Sequence, residues 1–212
     1  MSVVRPEFGP TLPELLGPRV RALPRAVRAA LVAVVVALVL LAGYAFVTRH
    51  AGLHTAQVSG AVPFNLQYQG PLHRVAARPG ELLALQDATG KETFTIRPLS
   101  LPPYRGDVGA VLMSLATDMV TQMRATVPRF VLREEGRARI ANQPGYQIQY
   151  QFKLDGRTAY GRRVLLTTGQ PGVRRGVDID LRVPRSPQVP NFDLVGTAGT
   201  LKQSLRSFAF GS

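Results

Sequence analysis

Nineteen consecutive residues, Ala29 to Val47, carry no charge and include six Ala, four Leu, six Val and one Phe. In a helix rising about 1.5 Å per residue the run reaches about 28 Å, close to the roughly 30 Å hydrocarbon core of a bilayer. It predicts a transmembrane helix over residues 29–48. Arg5, Arg19, Arg21, Arg25 and Arg28 precede the run, whereas only Arg49 follows it before Arg74. Short basic loops stay cytoplasmic, so the expected topology is a single-pass protein of the cell membrane, N-terminus inside, C-terminal domain outside. A cleaved secretory signal is the competing reading. Against it stand the long basic region, an apolar core beyond the usual length of about 7–15 residues, and a best cleavage match, Gly43-Tyr44-Ala45, inside the span. The reading adopted is an uncleaved signal anchor.

Pro6, Pro10, Pro13, Pro18 and Pro24 leave no room before the span for a helix longer than a turn or two. Residues 1–28 are therefore expected to be a disordered basic cytoplasmic tail, its arginines free to rest on anionic headgroups. Residues 49–61 read as a tether and 62–212 as one outer domain, long enough to bury a single core. The chain contains no cysteine, so packing must hold that domain, and thiol catalysis and cysteine metal sites are excluded. From Ala51 onward, 20 Lys plus Arg face 11 Asp plus Glu. A basic domain attracts polyanions. Outside a membrane the expected partners are the bilayer itself through residues 29–48, another envelope protein, or an anionic lipid or polymer; nucleic acid is not expected.

Along the outer domain, Phe64-Asn65-Leu66-Gln67-Tyr68-Gln69 alternates apolar with polar, the period of a strand with one buried face. Residues 72–77, 82–88 and 93–99 read as three more short strands, divided by Pro79-Gly80 and Thr89-Gly90, in an antiparallel meander. Val108, Val111, Leu112, Leu115, Met119 and Met123 recur at helical spacing after Asp107, a residue able to cap, and predict a helix over about 107–125 ended by Pro128. Residues 130–140 read as a strand and Asn142-Gln143-Pro144-Gly145 as a turn. Tyr146, Ile148, Tyr150, Phe152 and Leu154 then line one strand face, and Tyr160, Arg162, Val164 and Leu166 one face of the next. If those two rows share a face, parity demands a three-residue loop, Leu154-Asp155-Gly156, pairing Tyr150 with Tyr160. A turn through Gln170-Pro171-Gly172 leads to Val177, Ile179, Leu181 and Val183, alternating with Asp178, Asp180 and Arg182. Asp193 is placed to cap a last helix bearing Leu194, Ala198, Leu201 and Leu205, weakened by Gly196 and Gly199, and Ser207-Phe208-Ala209-Phe210 is expected to dock on the body. The fold class is α+β: an antiparallel sheet of six or seven strands covered by two helices.

This order of elements resembles the PsbP-like superfamily, which includes photosystem extrinsic proteins, a Ran-binding nuclear import factor and secreted or lipid-anchored actinobacterial proteins. The resemblance spans residues 62–210 and rests on Phe64-Asn65-Leu66-Gln67-Tyr68, on Gly145-Tyr146-Gln147-Ile148-Gln149-Tyr150 and on Leu201-Lys202-Gln203-Ser204-Leu205-Arg206-Ser207-Phe208. It implies an accessory or binding role without catalysis, and carries over no catalytic residue. A membrane helix here stands where relatives have a lipidated cysteine or free secretion.

No motif announces chemistry. His50 and His54 lie four apart, yet Gly52 interrupts and no carboxylate joins them, so no metal is expected. Gly90-Lys91 is followed by Glu92, unlike a phosphate loop, and no Gly-x-Ser-x-Gly elbow occurs. Arg105-Gly106-Asp107 reads as a turn into a helix cap. Asp178 and Asp180 share a strand face and could pair as acid and base in an envelope hydrolase, but alternation places them on the wet face. Neither a catalytic residue nor a cofactor is expected. The candidate anion- or partner-binding residues are Arg162, Arg163, Arg174, Arg175, Arg182 and Arg185, expected to cluster on adjacent strands and their connecting turn, since guanidinium forks grip phosphate and carboxylate. Arg162 stands out, because it sits among apolar positions where a charge needs a partner.

Overall fold

Alternating strands and one capped amphipathic stretch set the order of elements in the computed structural model, which describes residues 24–50, 52–168, 172 and 174–211. The chain divides into two units, Met1–Gly52 and Leu53–Ser212. In the first, helix α1 (Arg25–His50) carries the apolar run over 26 residues, about 39 Å at the usual rise. It starts inside the stretch expected to be tail; residues 1–23 of that tail lie outside the described residues. Val32, Val34, Val35, Val36, Leu38, Val39, Leu40 and Leu41 are all exposed. Among the described residues, no helix is long and apolar enough to cross a membrane. The stretch of α1 whose side chains are described without a break is only residues 32–41.

The second unit begins earlier than expected. Within the anticipated tether, β1 (Leu53–Val58) pairs antiparallel with β2 (Phe64–Gln69), and β10 (Ala209–Phe210) takes the other edge of β2 to complete a three-stranded sheet. Seven further strands form a second, antiparallel sheet: β3 (Leu72–Val75), β4 (Leu83–Asp87), β5 (Thr93–Ser100), β6 (Val131–Ile140), β7 (Gln143–Leu154), β8 (Arg157–Thr167) and β9 (Arg175–Pro184), in the order β3-β4-β5-β9-β8-β7-β6. The α+β expectation holds. Helix α2 (Val108–Thr126) joins β5 to the far edge β6; Asp107 caps it by accepting from the Gly109 amide at 2.9 Å, and Leu112, Ala116, Val120 and Met123 are buried.

Helix α2 packs on Tyr146, Ile148, Tyr150, Phe152, Ala159 and Leu165, forming one core. On the opposite face Tyr160, Val164, Leu166, Val177, Ile179, Leu181 and Val183 meet the small sheet and the C-terminal segment, forming a second. Strands β8 and β9 are thus buried on both faces, and three departures from expectation are seen in and beside them. The β7–β8 loop has two residues, Asp155 and Gly156, at φ 49° and 76°, so Leu154 pairs with Arg157 and Tyr150 with Gly161 instead of Tyr160. The two apolar rows lie on opposite faces. The β6–β7 turn falls at Ala141-Asn142 (φ 46° and 66°), one residue before the expected site, with Gln143, Pro144 and Gly145 already in β7. Asp178 and Asp180 are not wet but 3% exposed each.

The C-terminal helix is also shorter than read. Gly196 and Gly199 hold φ 75° and 67°, which a continuous helix cannot accommodate. What forms is a 3-10 turn (Phe192–Leu194) and then α3 (Leu201–Arg206). The apolar tail docks as expected: Phe208 is buried with its ring 5.5 Å from that of Phe64.

Candidate functional site

The six candidate arginines do not form one cluster. Strand parity sends Arg162 and Arg163 to opposite faces of β8. Arg174 is exposed beside β9 and donates from Nε to the Leu101 carbonyl at 3.2 Å; Arg175 opens β9, exposed, opposite Ser100; Arg185 follows β9, also exposed. The expected turn at Gln170-Pro171 lies outside the described residues.

Arg163 and Arg182 share the helix-side face with Asp178 and Asp180. Arg163 grips Asp178 with two N–H donors, Nε at 2.7 Å and Nη2 on the second oxygen. Asp180 accepts from the Tyr150 hydroxyl at 2.8 Å and from Arg182 Nε at 2.9 Å. The Arg182 guanidinium also stands 5.7 Å from the Phe152 ring centroid, within cation–π range. Burial and the Asp180 charge raise the Tyr150 pKa well above its ordinary value. Burial would lower that of Arg163, but Asp178 outweighs it and the group is held more firmly protonated. Asp180 does the same for Arg182 against burial.

Next to this network, where α2 leaves the sheet uncovered, an open cleft of about 360 Å³ is lined by Thr93, Thr95, Arg97, Glu81, Asp180 and Arg182 among others. Both of its carboxylates are paired with arginines. Arg97 Nη2 lies 2.9 Å from Glu81 Oε1, and Arg182 lies 2.9 Å from Asp180. Burial would raise the Glu81 pKa, yet the Arg78 amide and the Arg97 guanidinium prevail and hold it below the ordinary carboxylate range.

On the other face a second cavity, about 340 Å³, is lined by Arg139, Ile140, Ala141, Arg162, Gly196, Thr197, Lys202, Leu205 and Arg206. No carboxylate lines it. Arg162, only 8% exposed, donates from Nη1 to the Val195 carbonyl at 3.2 Å and from Nη2 to Gln147 Oε1 at 2.6 Å. Burial lowers its pKa, opposed only by the distant charge of Glu134. Lys202 and Arg206 join it from α3, four residues apart, a spacing visible in sequence but without meaning until the helix is seated against β2 and β5. Arg139 touches the rim near the end of β6, but it alternates with Ala138 and Ile140 and so faces the α2 side, as Arg137 does in bonding Asp107.

The other motifs resolve into structure. His54 stacks on Tyr68 with ring centroids 5.3 Å apart, and Asp107 also accepts from Arg137 at 3.2 Å. Among the described residues no three His, Cys, Asp or Glu side chains are grouped to hold a metal.

An antiparallel sheet roofed by one long helix, with a short C-terminal helix on its other face, defines the PsbP-like class of α+β domain. Cyanobacterial PsbP (CyanoP) from Synechocystis sp. PCC 6803 superposes with a TM-score of 0.51 at 15% identity, over 76% of this chain and 94% of that one. The unit from Leu53 onward has the PsbP-like fold. Also similar are LpqN, involved in cell envelope biogenesis of Mycobacterium tuberculosis (TM-score 0.49, 10% identity, 76% of this chain and 92% of that one), and the Saccharomyces cerevisiae Ran-binding protein Mog1p (0.47, 10%, 74% and 95%). No protein-family model and no curated protein matches the sequence.

Proposed function

We propose that this chain is a single-pass, membrane-anchored binding module of a bacterial cell envelope, with its N-terminus inside, its PsbP-like domain outside, and no catalytic role. The observation that carries the anchor is α1, where every large side chain from Val32 to Leu41 is apolar and exposed. Successive residues turn about 100°, so a run of this kind is apolar all round, which water does not tolerate and lipid does. The envelope-hydrolase reading draws on Asp180 in the cleft. It is weakened because Asp178 and Asp180 both spend their oxygens on Arg163, Tyr150 and Arg182. A general base needs a lone pair aimed at substrate.

The chain has no cysteine, so single-cysteine variants report topology cleanly. Ser2→Cys and Gln188→Cys are to be treated with a membrane-impermeant maleimide on spheroplasts. The expected result is labelling at position 188 before lysis and at position 2 only after it, with the protein retained in membranes after carbonate washing. The reverse pattern would place the basic domain in the cytosol and revive a polyanion-binding reading.

A further inference from the structure

Three arginines lie side by side in the middle of the large sheet, and the fold supplies only two of them with a counter-ion. Arg163 has Asp178 and Arg182 has Asp180. Arg162, buried on the opposite face, has none, and neither Arg139, Lys202 nor Arg206 enters an ion pair among the described residues. Of the five N–H donors of the Arg162 guanidinium, two reach neutral carbonyl oxygens, and the buried Nε has no acceptor. The acidic side chains of this region do not compensate. Glu134 is exposed and acts on Arg162 only through space, and Asp193 is exposed and unpaired.

Holding a cation out of water without a counter-charge is costly, by several kcal/mol for an isolated ion. Here the cost is incurred at the wall of an open cavity that two more cations, Lys202 and Arg206, share. We propose that this cavity binds a phosphate-type oxyanion, with Arg162 as the desolvated anchor and Lys202 and Arg206 closing around it. Arg162 supplies charge from the floor, while the exposed Lys202 and Arg206 side chains can swing to meet the oxygens in charge-assisted contacts. About 340 Å³ is more than one phosphate ion fills, and Ile140, Ala141 and Leu205 present an apolar wall to whatever the oxyanion is attached to. The cleft on the other face differs, because two carboxylates, Glu81 and Asp180, line it and hold Arg97 and Arg182, whereas no carboxylate lines this cavity. The proposal rests on the binding reading of the outer domain, and not on its anchoring.

The test uses the full chain in a neutral detergent at constant ionic strength, with chloride replaced stepwise by inorganic phosphate. The expected result is a rise in Tm of about 3 °C at ten times the Kd. Short-chain phosphatidylglycerol, with short-chain phosphatidylcholine as the zwitterionic control, distinguishes the source. A response to phosphatidylglycerol at a tenth of the phosphate concentration identifies a lipid headgroup, and equal responses identify the phosphate group alone. Arg162→Gln should abolish the shift. Should that variant fail to fold, Lys202→Gln with Arg206→Gln, both at exposed positions, should weaken phosphate binding about tenfold. Absence of any shift in the wild type, a shift of equal size with chloride, or an unaltered response in the double variant overturns the site. A chain that resists carbonate washing yet ignores phosphate refutes this inference and leaves the anchor standing.

Discussion

Arg163 and Asp178 are a pair that neither member can survive losing. Their side chains are 13% and 4% exposed, and removing one leaves the other charged and dry. Arg163→Met should therefore lower stability by about 3–5 kcal/mol, whereas Arg163→Met combined with Asp178→Leu should regain most of the loss. Urea denaturation in detergent measures both, and a double variant no better than the single would show that the pair's charge is not what matters. Tyr150 adds a pH dependence. Because burial and Asp180 raise its pKa in the folded state, its contribution is complete below about pH 10 and is lost as pH rises through the folded value. Alkaline unfolding should be shallower in Tyr150→Phe, read by circular dichroism between pH 9 and pH 12. That Asp178 and Asp180 share a face, opposite Val177 and Ile179, is legible from alternation. That α2 roofs part of that face is not, because periodicity reports parity along a strand and says nothing of what comes to lie over it.

At the scale of the element, the β7–β8 hairpin shows how a sound rule reaches a wrong register. Asp-Gly marks the turn, and the apolar rows of both strands were readable. The three-residue loop followed only from supposing that those rows share a face, and the supposition fails for a sheet with a core on either side. The observed register sets Gly161 under the Tyr150 ring, where a Cβ would come within 2.1 Å of the ring. Gly161→Ala should push that ring off Asp180 and cost about 1–3 kcal/mol. Gly136→Ala in β6, whose Cβ would meet nothing within 4 Å, is the matched control and should be nearly neutral. Thermal unfolding of the two variants separates local crowding from the general effect of losing a strand glycine. The basic cavity was half legible: Arg162 announced itself by sitting among apolar positions, but Lys202 and Arg206 acquire their role only once α3 is docked.

For the molecule as a whole, the proposed anchoring puts α1 and the domain that follows it in different solvents. Leu40→Arg in the middle of the apolar run should oppose membrane insertion by about 2.5–3.5 kcal/mol and release protein during carbonate washing. It should leave the domain's own unfolding transition unchanged. Within that domain, β2 is the centre of a small sheet whose partners come from far apart along the chain, with Phe64 meeting both Val58 and Phe210. The strand at residue 64 thus waits for a companion made 146 residues later. During synthesis, one flank of β2 stays open until residues 208–210 have been added, since Phe210 pairs with Phe64 and the buried Phe208 ring lies against it. Closure of the small sheet is then timed by chain elongation rather than by local folding, and an arrest just short of residue 208 would leave a sticky seam along β2.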